Sequence, residues 1–241
     1  MARTRIFARP IDRERQVLVY QMTFAASEPV AMILPLPFKS GARPEEFKFL
    51  DLSAYPKFFS DLGDGFPTPG VGVDDRRYAG APPTARKLEV FQVGSFEASF
   101  VPKLADFNRL DERFRLDPAV WRSLPGYDEM SFAVFQFQPG QQEVHPMAFL
   151  FPRRDPRRLF FPTLHIHDGN VHPREQFDHD LYEQGNPRQA PATRGWEESE
   201  RLAFQFMKTE LTGEILHDQS HVYRKHLSGL LKNEDTYVLL P

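Results

Sequence analysis

Cysteine is absent from all 241 positions. Its absence excludes disulfides, thiolate zinc sites, iron–sulfur centres and a cysteine nucleophile, and it suits a reducing compartment. Long apolar runs are missing too. No stretch approaches the ~18 consecutive apolar residues of a membrane span, so no membrane partner is expected. The first residues, MARTRIFARPIDRERQ, carry charge where a signal peptide carries an apolar centre, and the chain therefore reads as cytoplasmic. An excess of one charge is also lacking: 30 basic side chains meet 33 acidic ones, for a formal net charge of −3. That balance does not suit nucleic acid as a partner, because nucleic-acid binders concentrate basic residues on one face. The one basic run, RRDPRR (Arg153 to Arg158), reads as a solvated loop, with an anion site as the alternative. G-x-S-x-G, the P-loop, G-x-G-x-x-G and H-E-x-x-H are all missing.

What is abundant is phenylalanine, 23 residues, and proline, 22. Phenylalanine favours sheet packing. Proline cuts strands and helices short and demands many turns. A chain of this length buries about three quarters of its unfolded surface and needs no covalent staple. VLVYQMTF (17–24) and VAMILPLPF (30–38) read as two strands closed into a hairpin by ASEP. The second is apolar almost throughout, which predicts cover on both faces, with Pro35 and Pro37 ending its pairing. Short amphipathic pieces such as EEFKFLDLSAYPKFF follow. Residues 61–87 are dense in Gly, Pro and Asp and read as a loop insertion, either disordered or a functional lid.

After Gly94 the chain alternates. Phe96, Ala98 and Phe100 point one way and Ser95, Glu97 and Ser99 the other, as on a half-buried antiparallel strand. Two short helices are expected next, one near Leu104 to Leu110 and one from Asp117-Pro118, an N-cap followed by proline at N1. MSFAVFQFQPG (130–140) and VHPMAFLFP (144–152) read as a strand pair turning at Pro139-Gly140. WEESERLAFQFMKTEL (196–211) places Trp196, Ala203 and Met207 on one helical stripe, although Leu202, Phe204 and Phe206 also alternate as on a strand. Helix is the preferred reading, ended by Gly213. Closing strands follow to the C-terminus. The fold class expected is α+β and β-rich, a single domain over 1–241. Its antiparallel sheets are sandwich or barrel-like, with a few short helices.

The succession ERQVLVYQMTF, LPLPF, VGSFEASF, LPGYDEMSFAVFQFQPG and HPMAFLFP resembles an uncharacterised bacterial family, domain of unknown function 2330, over residues 14–165. The resemblance implies an order of strands. It implies no catalytic residue, because the family has no established activity.

FFPTLHIHDGNVHPREQFDHDLY (160–182) holds four of the eight histidines. Asp168-Gly169 is a two-residue hairpin signal. In that register His165 faces His172, and His165, His167 and His172 share one face. Cβ atoms of facing residues lie about 4.5–5.5 Å apart, so these rings can converge on a divalent transition metal such as Zn. Asp178 or Asp180, or the ring of His179, would complete the shell. An open position there would activate water for hydrolysis. A three-residue turn would move His172 to the other face and dissolve the set. A second cluster, His217, His221 and His226, reads as scattered surface histidines.

Three functions fit. The preferred one is a non-catalytic binding or assembly module that self-associates or takes a protein partner through an exposed strand edge. The alternative is a metal-dependent hydrolase using the His165/His167/His172 hairpin. The third is a histidine-gated pH response, with stability falling near pH ~6.

Overall fold

A computed structural model describes residues 3–22, 30–66, 91–93, 96–110, 126–137, 145–164, 166, 171–185 and 195–240. The chain opens with a hairpin of β1 (Thr4–Pro10) and β2 (Arg15–Met22). Its turn is set by Asp12, whose carboxylate accepts the amides of Glu14 at 2.9 Å and Arg15 at 2.7 Å, a side-chain imitation of a backbone turn. The charged sequence RTRIFARP hid β1 from pattern reading.

A seven-stranded sheet grows around this hairpin. Its other strands are β4 (Lys48–Leu50), β8 (Met147–Pro152), β10 (Arg174–Glu183), β11 (Glu197–Glu198) and β12 (Tyr223–Lys232). The order is β11-β12-β10-β1-β2-β8-β4. All its pairings are antiparallel except β1 with β10, which is parallel. A four-stranded sheet runs β3-β7-β6-β5, formed by Val30–Leu36, Ser131–Phe137, Phe96–Val101 and Phe91–Val93 respectively. A third, two-stranded sheet pairs β9 (Arg158–Phe161) with β13 (Thr236–Leu239). The fold is thus β-rich, with mixed and antiparallel sheets and few helices. No sheet closes into a barrel among the described residues.

Alternation along each strand divides the apolar side chains between three cores. Ile6, Ala8, Leu18, Tyr20, Phe149 and Phe151 leave one face of the large sheet and meet Leu34, Leu36, Ala133 and Phe135 of the four-stranded sheet, with Phe160 of β9 between them. Phe7, Val17, Val19 and Tyr182 leave the opposite face. They meet α1 (Phe58–Gly63) and the segment carrying Ala203, Met207, Ile215 and Leu216. Phe132, Val134 and Val101 fill a third core with Phe107. Gln16 is fully buried and fastens β9 to β2 by copying a strand: Nε2 donates to the Phe160 carbonyl at 3.0 Å, and Oε1 accepts the Phe160 amide at 3.1 Å. Asp235 closes the far end, accepting the amides of Thr163 at 2.8 Å and Leu164 at 2.9 Å and the hydroxyl of Tyr127.

Several strands are where the sequence puts them, but their partners differ. The expected hairpin of 17–24 with 30–38 does not form: β2 pairs with β1 and β8, and β3 pairs with β7 in another sheet. The expected pair 130–140 with 144–152 separates in the same way. The two ladders share one register, with Tyr20 opposite Met147 and Val30 opposite Phe137. Nine residues therefore separate the paired positions on each side. Pairing continues through Pro35, opposite Phe132, because β3 is an edge strand and has one side that needs no donor. The strand β6 is covered on both faces, with Ser99 and Val101 buried against the third core's side.

The segment 196–211 is not a helix. It holds β11 and two 3-10 turns, Ala203–Gln205 and Thr209–Leu211. Its amides are taken by distant carbonyls: Ser199 by Val222, Glu200 by Gly65, Ala203 by Ser220 and Phe204 by Asp218. The helix expected at 104–110 is a 3-10 helix, Leu104–Arg109. Residues 61–63 complete α1, and Phe66 is buried beneath Arg224, whose Cζ lies 4.4 Å from the ring centroid. The rest of the 61–87 segment and the helix expected at Asp117-Pro118 lie outside the described residues.

Phe149 stacks on Phe47, meets the tilted ring of Phe135 and is wholly buried. Phe149→Ala is expected to cost about 3–5 kcal/mol in urea unfolding, and Leu239→Ala, at an exposed position, less than about 0.5 kcal/mol.

Candidate functional site

The strand β10 carries the predicted acidic and histidine ligands into the middle of the large sheet. Asp178 and His179 are neighbours on it, so their side chains leave opposite faces. Asp178 is half-buried, and His179 is buried with its ring 5.1 Å from that of Phe177. His172 precedes the strand and is exposed. Its carbonyl accepts from Asn233 Nδ2 at 3.1 Å. Extended chain of roughly 20 Å separates it from His179. His165 and His167, and the Asp168-Gly169 turn, lie outside the described residues. Strand β9 ends at Phe161 and pairs with β13 rather than with β10. Among the described residues no three His, Asp or Glu side chains come together as metal ligands would.

What β10 does build is an ion cluster at Asp180. This carboxylate is nearly buried, and two elements reach it. Arg3, just before β1, donates from Nε at 2.8 Å and Nη2 at 2.6 Å to Oδ2. His226 sits opposite Asp180 in the β10/β12 register and places Nδ1 3.0 Å from Oδ1. A carboxylate only accepts, so this nitrogen carries the proton. An aspartate orienting an imidazole is two thirds of a Ser-His-Asp relay. Among the described residues, however, no hydroxyl is hydrogen-bonded to the other ring nitrogen. Of the second histidine cluster, His217 Nδ1 meets Ser220 Oγ at 3.1 Å, and His221 Nδ1 meets the Ser199 carbonyl at 2.8 Å. Each histidine has its own partner, and the three do not converge.

Two buried polar groups end β10. Gln184 is satisfied: its Nε2 donates to the His217 carbonyl at 2.9 Å, and its Oε1 accepts the His217 amide at 2.8 Å. Glu183 is buried beside it, with Oε1 lacking any hydrogen-bond partner. Its strand neighbours are Ala8 and Tyr223. Burial pushes its pKa up to about 7. Burial likewise pushes Asp235 up to about 6, against the hydrogen bonds from Tyr127, Leu164 and Thr163 that pull it down.

The surface offers strand edges. Among the described residues β13 pairs with β9 alone, and Tyr237 and Leu239 on one face of it are 40% and 68% exposed. The other sheets end in β11, β4, β3 and β5. TYVLL was legible as a strand, but its position at an edge depends on contacts that the sequence does not display.

No family model matches the chain. The arrangement of its sheets places it among folds already seen in solved proteins. Solved structures similar to it include those of baculovirus P35. The crystal structure of P35 matches with a TM-score of 0.50 at 10% identity, covering 100% of this chain and 97% of that one. The caspase-8/P35 complex matches at 0.50 and 10% identity, covering 100% and 96%. A mutated P35 after caspase cleavage matches at 0.50 and 12% identity, covering 99% and 100%. At these identities the likeness is one of fold.

Removing the charge at Asp180 leaves Arg3 and His226 facing a group that no longer balances them. Asp180→Asn is expected to cost about 1–3 kcal/mol, whereas His226→Ala, half exposed, costs under about 1 kcal/mol. Urea midpoints at pH 7.5 compare them, and equal losses would contradict the assignment of Asp180 as the centre. Glu183 gives a prediction in pH. Its pKa is raised in the folded state, so its stabilising effect is fully present below pH ~4.5 and is lost as pH rises through about 7. Thermal melts of Glu183→Gln are expected to match wild type near pH 4.5. At pH 8 the variant gains on the order of 1–3 kcal/mol. A constant offset across that range would rule the effect out.

Proposed function

We propose that this chain is a non-catalytic protein-binding module with a sandwich-like core. One observation carries the reading: the fold matches P35 over essentially the full length of both chains, and one of the matching P35 structures is a complex with caspase-8. A caspase is therefore the first partner to try. The exposed apolar edge strand β13 supports the same reading, since unpaired strand edges are natural sites for another chain. Among the described residues no helix is long and apolar enough to cross a membrane.

The test is interferometry of the full chain against purified caspase-8, with analytical ultracentrifugation of the chain alone and elemental analysis of the same preparation. A saturable complex, or concentration-dependent self-association, supports the module. A monomer that binds no caspase-8, carries one equivalent of zinc and loses it in the His165→Ala/His172→Ala variant would replace this reading with the metal-dependent hydrolase.

A further inference from the structure

The turn after β8 and the start of β9 enclose a cavity of about 180 Å³, lined by Arg153, Arg154, Asp155, Arg158, Phe160 and Tyr237. Arg153 is 3% exposed. Its Nη2 donates to the carbonyls of Asp12 at 3.1 Å and Arg13 at 2.8 Å. Its Nε and Nη1 are buried and have no hydrogen-bond partner. Buried donors left unmade are costly, more so on a charged group. No carboxylate stands within ion-pair distance of Arg153 among the described residues. The nearby acids are engaged elsewhere. Asp12 holds Arg15 at 2.7 Å and two backbone amides, and Asp155 takes Arg157 at 3.2 Å and Arg158 at 3.4 Å. Arg154 reaches Glu129 at 3.4 Å from the rim, and the Arg158 guanidinium lies 5.9 Å from the Tyr237 ring centroid.

We propose that this cavity is an oxyanion site for a phosphate group, with Arg153 as its buried floor and Arg154 and Arg158 at its mouth. Three guanidinium groups and one carboxylate line the cavity, and even with Glu129 paired to Arg154 at the rim the local balance is positive in a protein that is acidic as a whole. Arg153 Nε and Nη1 are sealed from solvent, so an oxyanion reaches them only as the arginines at the mouth move aside, and guanidinium groups match phosphate oxygens in geometry as well as in sign. Desolvation also holds the Arg153 pKa below its ordinary value, the direction that a bound anion would reverse. The half-exposed Arg158 can turn toward an incoming ligand without disturbing the core.

The probe is inorganic phosphate, titrated into the full chain by calorimetry at constant ionic strength, with acetate in a parallel arm. Saturable 1:1 binding of phosphate, with a rise in Tm, is the expected result. Arg158→Ala and Arg154→Ala are each expected to weaken it at least ten-fold while leaving the Tm of the phosphate-free protein near wild type. Arg174→Ala, on β10, is expected to bind as wild type does. Absence of saturable phosphate binding, equal binding of acetate, or binding indifferent to both cavity variants would overturn the proposal. Arg153→Met adds a check: if it folds, phosphate binding should be lost with a gain in intrinsic Tm, because the unpaired buried charge is gone.

Discussion

The hairpin β1–β2 has no wet face, and the rest of the molecule follows from that. Ile6 and Phe7, like Leu18 and Val19, are adjacent in sequence and buried in different cores. Both faces of the hairpin must be covered, and its outer edges must find strands, because no water remains to satisfy its backbone groups. The large sheet supplies β10 on one edge and β8 on the other. The smaller sheets and α1 supply the covers. Even Gln16, a polar residue in this dry interior, is retained only by pairing with the backbone of β9.

Apart from β1, the apolar strands were legible, and strand partnership was not. Runs such as VLVYQMTF and MSFAVFQF announce themselves by β-branched and aromatic content. Hairpin signals such as ASEP and Pro139-Gly140 say only that the chain can turn, and here the strands beside them enter different sheets. The pairing β1 with β10 joins residues 175 apart, and no local pattern encodes such a contact. The helical stripe at 196–211 failed for a related reason. Carbonyls of Ser220, Asp218 and Val222 compete for its amides, and tertiary partners outweigh weak propensity.

The polar sites follow the same division. Charged and histidine residues in DHDLYE were visible as candidates, but alternation on β10 decides what each one does. Asp178 stays half-buried, His179 enters the core, Asp180 becomes an ion centre and Glu183 is buried with one oxygen unsatisfied. Only the strand register reveals His226 as Asp180's partner. The buried carboxyls also oppose the acid response that closely packed histidines would give. Raised carboxyl pKa values favour the folded state as pH falls toward 4.5, whereas charging histidines would loosen it.

The parallel pairing of β1 with β10 also sets a clock. A ribosome adds about 5–20 residues per second, so β1 is made on the order of 10–30 s before its neighbour exists. Throughout that interval the first hairpin carries apolar side chains on both faces and an open edge. Topologies closed by such distant pairings fold slowly, and a nascent chain in this state is a natural client for chaperones that hold exposed strands until translation is complete.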